Sequence, residues 1–314
     1  MRAIAFNEFG GPEVLEIMEL LEPVPQGGEV VVRVVAASVN PTDVMMRAGQ
    51  QTALMTYLKP PYICGMEFAG YVHSIGDASS ALDVGQPVMG VVNPRRPQGG
   101  GHAQLVCVPA ASLARLDKSV DLSAAAAVPM NGLTAKMALD FLDLPSKASL
   151  LVTGGAGVVG GYVIQLAKHA GLTVVADAKE SDVDWLRRLG VDEIAPRGAE
   201  MEAFARARFP AGVDGLVDAA LLTDRAAALV RTGGAAVSLR KSHPITDPRL
   251  RHSYLSVSDQ VTNTKALLFL ANLFRQGVLT PQIAMRLPMS EVAEAHRLVA
   301  KGGLHGRIVL MMDR

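Results

Sequence analysis

The spacing of hydrophobic residues changes near residue 120, and the two patterns predict two kinds of structure. Before residue 117, short β-branched or alternating runs such as residues 29–36 (EVVVRVVA) are separated by Gly and Pro, which is typical of a β-rich domain. From Ser123, an alanine-rich helix is predicted to end near Phe141. Beyond it, apolar runs of strand length alternate with helical stretches, and this alternation predicts right-handed βαβ units in a parallel sheet.

The individual elements can be placed approximately from the same pattern. Predicted strands of the parallel sheet lie at residues 150–152, 174–176, 215–218 and 235–239, with residues 254–257 closing the sheet. Predicted helices include residues 185–189, 224–230, 262–276 and 290–300, and residues 307–311 form a last strand. The expected fold class is therefore α/β, with a β-rich domain beside a doubly wound parallel sheet.

A glycine-rich turn joins the first predicted strand of this sheet to a helix, in residues 150–171 (LLVTGGAGVVGGYVIQLAKHAG). Its spacing fits G-x-G-x-x-G, the pattern of loops that bind dinucleotides. Gly155 is expected to allow the tight turn, Gly157 to let the backbone approach a pyrophosphate, and Gly160 to let the helix pack closely. The alternative is a glycine-rich turn that binds nothing. The candidate phosphate-binding residues are Gly155, Ala156, Gly157, Val158 and Val159.

Composition narrows the classes of partner. The 314 residues suit two domains, and 30 basic against 30 acidic side chains give a formal net charge of zero. Without a long basic run, we expect neither nucleic acid nor a membrane surface as a partner. No run reaches the roughly 20 apolar residues of a membrane span, so a cytoplasmic location is expected. Cys64 and Cys107 are too few for a disulfide framework and are predicted to be reduced and buried.

Six segments, taken in order, resemble the medium-chain dehydrogenase/reductase superfamily, and within it the zinc-independent quinone oxidoreductase branch. The resemblance implies a GroES-like, partly β-barrel catalytic domain made from both chain ends, residues 1–120 and 262–314. A Rossmann dinucleotide-binding domain, residues 121–261, would be inserted between them, with the active site in the interdomain cleft. The segments are VNPTDVMMRAG (39–49), PPYICGMEFAGYVHSIG (60–76), GGGHAQLVCVPAASLARLD (99–117), AAAVPMNGLTAKMAL (125–139), the glycine loop, and PMSEVAEAHRLVAKGGLHGRIVL (288–310).

The resemblance also bears on metal. Zinc-dependent members hold their ion with a Cys and a His, and the matching positions here are Asn40 and Met66. A thioether is a poor substitute for imidazole in a tetrahedral zinc site, so no catalytic zinc is expected. The four-cysteine zinc lobe of those enzymes is missing as well. Glu67 matches an acidic family position whose usual role is structural.

Two residues near the end of the second Rossmann strand point to different nicotinamide cofactors. An acid there hydrogen-bonds the ribose of NAD, whereas a cation pairs with the 2′-phosphate of NADP. Ala178 occupies the usual acidic position, with Asp177 one residue early and Lys179 in the following loop. We therefore favour NADPH, with NADH as the alternative. Asp177 could instead cap the helix that contains Trp185, and Lys179 could be an ordinary solvated lysine.

Further candidates come from matched positions and from strand ends. Asn40 matches a family asparagine that could hydrogen-bond cofactor or substrate, or it is a turn residue before Pro41. Tyr57 or Tyr62 could donate a hydrogen bond to a carbonyl, although a packing role is the alternative for each. Cofactor contacts are also expected from Thr134, which matches a family position, and from the residues that follow two predicted strands: Ala219, Ala220, Ser238, Leu239 and Arg240.

The function expected from the resemblance is hydride transfer from NADPH to a quinone or an α,β-unsaturated carbonyl, without zinc. An enoyl or enone reductase with a defined metabolic substrate is one alternative, and a low-turnover NADPH-binding sensor is another. The proton could come from solvent or from a cofactor hydroxyl. The family also implies a homodimer, formed here through the sheet edge at residues 254–257.

Overall fold

The computed structural model describes residues 1–77 and 81–312 and divides the chain into two compact units. The first unit comprises Met1–Met130, Ser258–Gly277 and Pro281–Arg314, so both chain ends belong to it. The second unit comprises Asn131–Val257 and Val278–Thr280. Within the described residues, no helix is long and apolar enough to cross a lipid bilayer.

Strands and helices are numbered here in chain order. The strands are β1 (Arg2–Phe6), β2 (Glu16–Glu19), β3 (Glu29–Val39), β4 (Tyr62–Ile63), β5 (Glu67–Ile75), β6 (Pro87–Val91), β7 (Leu105–Pro109), β8 (Leu113–Arg115), β9 (Ser149–Thr153), β10 (Thr173–Ala178), β11 (Glu193–Pro196), β12 (Val213–Asp218), β13 (Val230–Ser238), β14 (Arg251–Tyr254), β15 (Ile283–Pro288) and β16 (Arg307–Met311). The helices are α1 (Pro41–Arg47), α2 (Leu122–Ala125), α3 (Pro129–Leu142), α4 (Val158–His169), α5 (Val183–Arg188), α6 (Glu200–Arg208), α7 (Asp224–Ala227), α8 (Thr264–Arg275) and α9 (Val292–Lys301).

The first unit is built on two sheets. The larger has the order β15-β16-β3-β5-β6-β8, with β7 also pairing β3, and apart from the parallel pair β15–β16 its strands are antiparallel. The smaller has the order β2-β1-β4. The eleven-residue β3 is buried at nearly every position because it pairs with three strands. Four of its valines, at positions 30, 32, 34 and 39, lie in a core with Phe6, Phe68, Met289 and Leu310.

The second unit contains a six-stranded parallel sheet with the order β11-β10-β9-β12-β13-β14. Numbered within the unit, this order is 3-2-1-4-5-6, the arrangement of the Rossmann fold. The predicted parallel sheet is thus confirmed. Strand order reverses between β9 and β12, and ligands bind such sheets at the carboxyl ends of the strands near this point.

Several predicted elements differ from the structure. The single helix expected from residue 123 to 141 is two helices, since Pro129 lacks an N–H and its ring would clash with the carbonyl of residue 125. The last sheet strand is β14, three residues earlier than expected, while Val257–Gln260 forms a 3-10 turn. The helix expected over residues 224–230 ends at Ala227 because Val230 already begins β13. Strand β11 and helix α6 had not been predicted.

Candidate active site

The glycine loop lies between β9 and α4, and its four glycines have different tasks. Gly154 has φ of +66°, so the left-handed residue of the turn is Gly154, not Gly155 as predicted. A Cβ on Gly155 would lie 2.9 Å from the Cβ of Ala176, so this glycine lets the loop pack against β10. A Cβ on Gly160 would lie 2.4 Å from the Gly154 oxygen, which agrees with the predicted close packing of the helix.

Gly157 precedes α4 as its N-cap and is exposed. A Cβ at Gly157 would meet only the Gly154 oxygen, at 3.2 Å, so the outer side of the loop is open. Val158 and Val159 begin the helix, and N–H groups of a first helical turn have no partner within the helix. An open loop, unpaired N–H groups and the positive end of a helix dipole suit a pyrophosphate, so the loop fits a dinucleotide.

Asp177 fastens this loop from the neighbouring strand. It lies inside β10, its side chain is buried, and its Oδ1 accepts a 2.5 Å hydrogen bond from the Gly154 N–H. Its Oδ2 accepts a 2.7 Å hydrogen bond from the Arg197 Nε. The interpretation of Asp177 as an N-cap of the helix containing Trp185 is therefore wrong. Both carboxylate oxygens are engaged in holding the loop and Arg197.

Two cations lie at the carboxyl end of β10. Lys179 follows the strand directly and is exposed. Arg197 follows β11, and its backbone N–H donates to the Ala178 oxygen at 2.9 Å. Sequence reasoning missed Arg197 because it missed β11, whose parallel pairing with β10 brings the two strand ends together. A correct prediction of β11 would have placed Arg197 at this edge.

The loop after β12 is held by a buried carboxylate. Asp218 Oδ1 accepts from the Thr153 hydroxyl at 2.5 Å and from the Leu222 N–H at 3.0 Å, and Oδ2 accepts from the Thr223 N–H at 2.7 Å. Leu221 and Thr223 both have positive φ, 59° and 55°, which costs such residues on the order of 1–3 kcal/mol each. Such strain persists only where the surrounding structure fixes the backbone. Here the hydrogen bonds of Asp218 fix the backbone that follows Ala219 and Ala220.

Ala219 is half-buried and Ala220 is exposed, and the Ala220 N–H donates to the Thr153 hydroxyl at 3.1 Å. At the end of β13, the Ser238 Oγ lies 3.0 Å from the Arg240 oxygen and 2.7 Å from the His243 oxygen, so its hydroxyl is used within its own loop. Leu239 is half-buried and Arg240 is exposed. The Ser238 hydroxyl therefore shapes this turn, and the cofactor contacts expected at these strand ends stay predictions.

In the first unit, Asn40 lies in a buried polar cluster. Its Nδ2 is 3.2 Å from both the Ser38 Oγ and the Glu67 Oε1, and its backbone N–H donates to Asp43 at 2.7 Å. The side chain is fully buried and Asn40 is the N-cap of α1. Asn40 thus begins a turn before Pro41, and its amide is engaged with Ser38 and Glu67, while a contact with cofactor or substrate stays a prediction.

Glu67 is the charged centre of the cluster. Ser38 donates its hydroxyl to Glu67 at 2.5 Å, and the Met130 N–H, in the first turn of α3, donates at 2.8 Å. Burial raises the pKa of Glu67, while the charge of Arg307 and these hydrogen bonds oppose the rise. Glu67 therefore connects β3 with the start of α3, which is a structural role of the kind that the family resemblance implies. Thr134, farther along α3, is half-buried.

The two candidate tyrosines have different surroundings. The Tyr57 ring is 67% exposed, and its hydroxyl donates to the Arg95 backbone oxygen at 2.7 Å. Tyr62 is partly buried, with ring centroids 5.4 Å from Phe6 and 5.2 Å from Phe9. Tyr62 is a packing residue, and Tyr57 secures the backbone of Arg95.

The positions that match zinc ligands hold a different chemistry. Met66 is buried, and its Sδ accepts from the Thr42 hydroxyl at 3.4 Å. Over residues 1–77 and 81–312, no three His, Cys, Asp or Glu side chains converge as a metal site would require. Cys64 and Cys107 are buried free thiols, and burial raises the pKa of both, that of Cys107 to about 11. The Met66 thioether in particular does not suit zinc, whose protein ligands are thiolate, imidazole or carboxylate.

Two family models match the chain: "Alcohol dehydrogenase GroES-like domain" over residues 26–118, and "Zinc-binding dehydrogenase" over residues 189–310. The quinone oxidoreductase of Mus musculus is 28% identical over 337 residues, covering 99% of this chain and 98% of its own. An NADPH-dependent alkenal/one oxidoreductase of Arabidopsis thaliana is 29% identical, covering 99% and 79%. The structure of a quinone oxidoreductase from Coxiella burnetii superposes with a TM-score of 0.87 at 27% identity, covering 100% and 99%.

The chain belongs to the medium-chain dehydrogenase/reductase superfamily. It lies on the quinone oxidoreductase-like branch and is an NAD(P)H-dependent reductase of that group. The predicted resemblance and the fold class, a GroES-like β domain with a Rossmann sheet, are confirmed.

Proposed function

We propose that this reductase transfers hydride from NADPH to a quinone or an α,β-unsaturated carbonyl and needs no zinc. The observation that carries the proposal is the open glycine loop, fastened by Asp177, with Arg197 and Lys179 at the same sheet edge. A 2′-phosphate is recognised by cations, and Ala178 offers no carboxylate to repel it. NADH remains the alternative cofactor.

When bound, the nicotinamide supplies the hydride. The residues of the chain bind and orient the cofactor and shield it from water. The N–H groups at the start of α4 hold the pyrophosphate, and the strained backbone around Ala219 and Ala220 positions the ribose. Residues 238–240 offer backbone groups to the carboxamide. Asn40 and Ser38 act on Glu67 and are positioning residues in this proposal.

The proton is proposed to come from solvent or from a cofactor hydroxyl. The Tyr57 hydroxyl already donates to Arg95, which leaves no reason to assign it the donor role expected from sequence. Conjugated acceptors suit such a site because their developing negative charge is delocalised and does not need a Lewis acid. The proposal that no zinc is needed is based on Asn40 and Met66, which stand at the positions of the zinc ligands in zinc-dependent members.

An enone reductase with a defined substrate is a second candidate. It is favoured by the Arabidopsis relative named above and by a 2-methylene-furan-3-one reductase of Solanum lycopersicum, 28% identical over 319 residues. Both candidates use the same cofactor site, so the acceptor decides between them. A low-turnover sensor is the remaining candidate, and it predicts cofactor binding with no acceptor.

The test is NADPH and NADH oxidation by chelator-washed protein with a matched panel of quinones, alkenals and cyclic enones. We expect faster turnover with NADPH than with NADH, and substoichiometric zinc by elemental analysis of the active protein. Stoichiometric zinc whose removal abolishes turnover would overturn the zinc-free proposal. Tight NADPH binding without turnover of any acceptor would contradict the reductase and favour the low-turnover sensor.

A further inference from the structure

Arg95 carries a half-buried positive charge whose hydrogen-bond partners are neutral. It follows β6, and its Nη1 donates to the Gln51 Oε1 at 2.8 Å while its Nη2 donates to the Ser258 hydroxyl at 2.9 Å. Asp259 acts on it electrostatically, yet no carboxylate of the described residues lies within 4.0 Å of its guanidinium. Burial lowers the pKa of Arg95 because the guanidinium is partly desolvated, and Asp259 opposes this effect from beyond ion-pair distance.

The backbone of Arg95 is held on both sides. Its N–H donates to the Asn93 Oδ1 at 3.0 Å, and its carbonyl accepts from the Tyr57 hydroxyl at 2.7 Å. Pro94 is buried between these contacts. The guanidinium is therefore presented from a rigid turn, and little conformational entropy would be lost when a ligand binds it.

The side chain is linked to the residues of the candidate active site. Gln51, which accepts from Arg95, donates through Nε2 to the Thr42 oxygen at 3.2 Å. The Thr42 hydroxyl donates to Met66, which occupies a position of the family's zinc ligands. Only Gln51 and Thr42 thus stand between Arg95 and Met66 in this series of hydrogen bonds.

A contrast with Arg96 shows that the arrangement is specific. The Arg96 Nε and Nη2 donate to the backbone oxygens of Gly99 and Cys107, at 2.9 and 2.6 Å, so Arg96 closes its own loop. Arg95 uses two of its five N–H groups in the contacts above, and its planar fork matches a carboxylate in two hydrogen bonds.

We propose that Arg95 determines substrate specificity by binding an anionic group, such as a carboxylate, carried by the hydride acceptor. The inference rests on the proposed function, because it names the class of acceptor. The preferred acceptors are then enones or quinones that bear an acidic substituent, and their neutral analogues are poorer substrates for lack of this charge-assisted contact.

The experiment compares trans-4-oxo-2-pentenoate with its methyl ester, which share the enone and differ in charge. In Arg95→Gln, we expect kcat/KM for the carboxylate to fall about 10- to 100-fold, the range of a hydrogen bond to a charged group. The fall should appear as a higher KM for the carboxylate. The kcat/KM for the ester should change less than about twofold. Arg95→Lys keeps the charge but not the fork and should recover part of the loss.

Two further variants complete the design. Arg297→Gln, an exposed arginine of α9 that pairs with Glu294, should leave both acceptors unchanged. Tyr57→Phe frees the Arg95 carbonyl and should raise KM for the carboxylate alone, which tests the inference even if Arg95→Gln folds poorly. Equal losses with both acceptors, or no loss with either, would overturn the inference.

The proposed function can fail separately. If the wild type turns over neither acceptor, calorimetry with 4-oxopentanoate in the presence of NADP⁺ tests the anion site directly. Binding that disappears in Arg95→Gln supports Arg95 as an anion site, and binding that is absent or unaffected overturns it. If the ester is turned over faster than the acid, the proposed reductase function stands and the proposed role of Arg95 is overturned.

Discussion

At the scale of single residues, the positive charge of Lys179 after β10 is proposed to favour NADPH over NADH. Asp177 already engages Arg197, whereas Lys179 forms no ion pair with the described residues. Lys179→Ala should therefore raise the Kd for NADPH by about two- to fivefold, the size of an exposed charge pair, and leave NADH unchanged. Fluorescence titration measures both. Lys301→Ala, an exposed lysine at the end of α9, is the control. An unchanged NADPH affinity, or tighter binding of NADH, contradicts the assignment.

Ser38 is predicted to act on stability in a pH-dependent way. The folded-state pKa of Glu67 is raised, so the stability associated with its neutral form is present at low pH and is lost as pH rises through that pKa. The Ser38 hydroxyl stabilises the ionised form, which limits this loss. Ser38→Ala should cost about 1.5–3 kcal/mol in the free energy of unfolding at pH 8 and less at pH 5.

Denaturant unfolding at the two pH values measures the difference. Ser112→Ala is the matched control, since Ser112 is equally buried but does not contact Glu67 in the structure, and its effect should not vary with pH. Effects of equal size at the two pH values would contradict the prediction, and a larger effect at pH 5 would mean that Ser38 stabilises the neutral form of Glu67 instead.

Individual residues also show where sequence reasoning stops. The candidate residues of the glycine loop lie together as predicted, because their spacing is local. The hydrogen bond of Asp177 to Gly154 could not be predicted, because it spans 23 positions and depends on the pairing of β10 with β9. The same holds for Tyr57 and Arg95, which lie 38 positions apart.

At the scale of elements, the junction of the glycine loop with α4 offers a pair of adjacent glycines with opposite expectations. A Cβ at Gly160 would collide with the Gly154 oxygen at 2.4 Å, whereas a Cβ at Gly161 would find its nearest neighbour at 3.6 Å. Gly160→Ala should displace the loop and weaken NADPH binding at least about tenfold, as loss of one charged hydrogen bond would. Gly161→Ala should preserve binding and stabilise the helix by up to about 1 kcal/mol.

Thermal unfolding and NADPH titration of the two variants test this directly. Equal NADPH affinities for Gly160→Ala and Gly161→Ala would mean that the loop can shift without losing the phosphate contacts. A loss confined to Gly161→Ala would contradict the assigned packing.

Element prediction succeeded where the pattern was long and failed where a partner strand supplied the stability. The final strand, β16, has the predicted bounds, since its apolar run is uninterrupted. Strand β11 is four residues with a proline, and only its pairing with β10 makes it a strand. The break between α2 and α3 was hidden by alanines whose helical pattern continues on both sides of Pro129.

At the scale of the whole molecule, the change of pattern near residue 120 was enough to separate a β-rich unit from a parallel sheet. The strand order of that sheet could not be derived from periodicity. It came with the family resemblance and agrees with the order observed. Substrate choice was the least predictable property, because the residues around Arg95 come from loops distant in sequence, and hydrophobic periodicity carries no information about loops.

The assembly of the protein is the last prediction. Strand β14 pairs with β13, and on its other side it pairs with no strand of the described residues, so it can join a second copy by isologous edge pairing. Tyr254 on this edge is 44% exposed. Tyr254→Asp places like charges near the twofold axis and should raise the dimer Kd by at least about tenfold.

Sedimentation velocity at micromolar concentration measures the assembly. Ile17→Asp is the matched control, because Ile17 is 41% exposed on β2, at the edge of the three-stranded sheet of the first unit. We expect the wild type and Ile17→Asp to sediment as dimers and Tyr254→Asp to shift toward monomer. A monomeric wild type would contradict dimerisation. Dissociation of Ile17→Asp with an intact Tyr254→Asp dimer would move the interface to the first unit, since a charge disrupts an interface only where the strand edge is buried by the second copy.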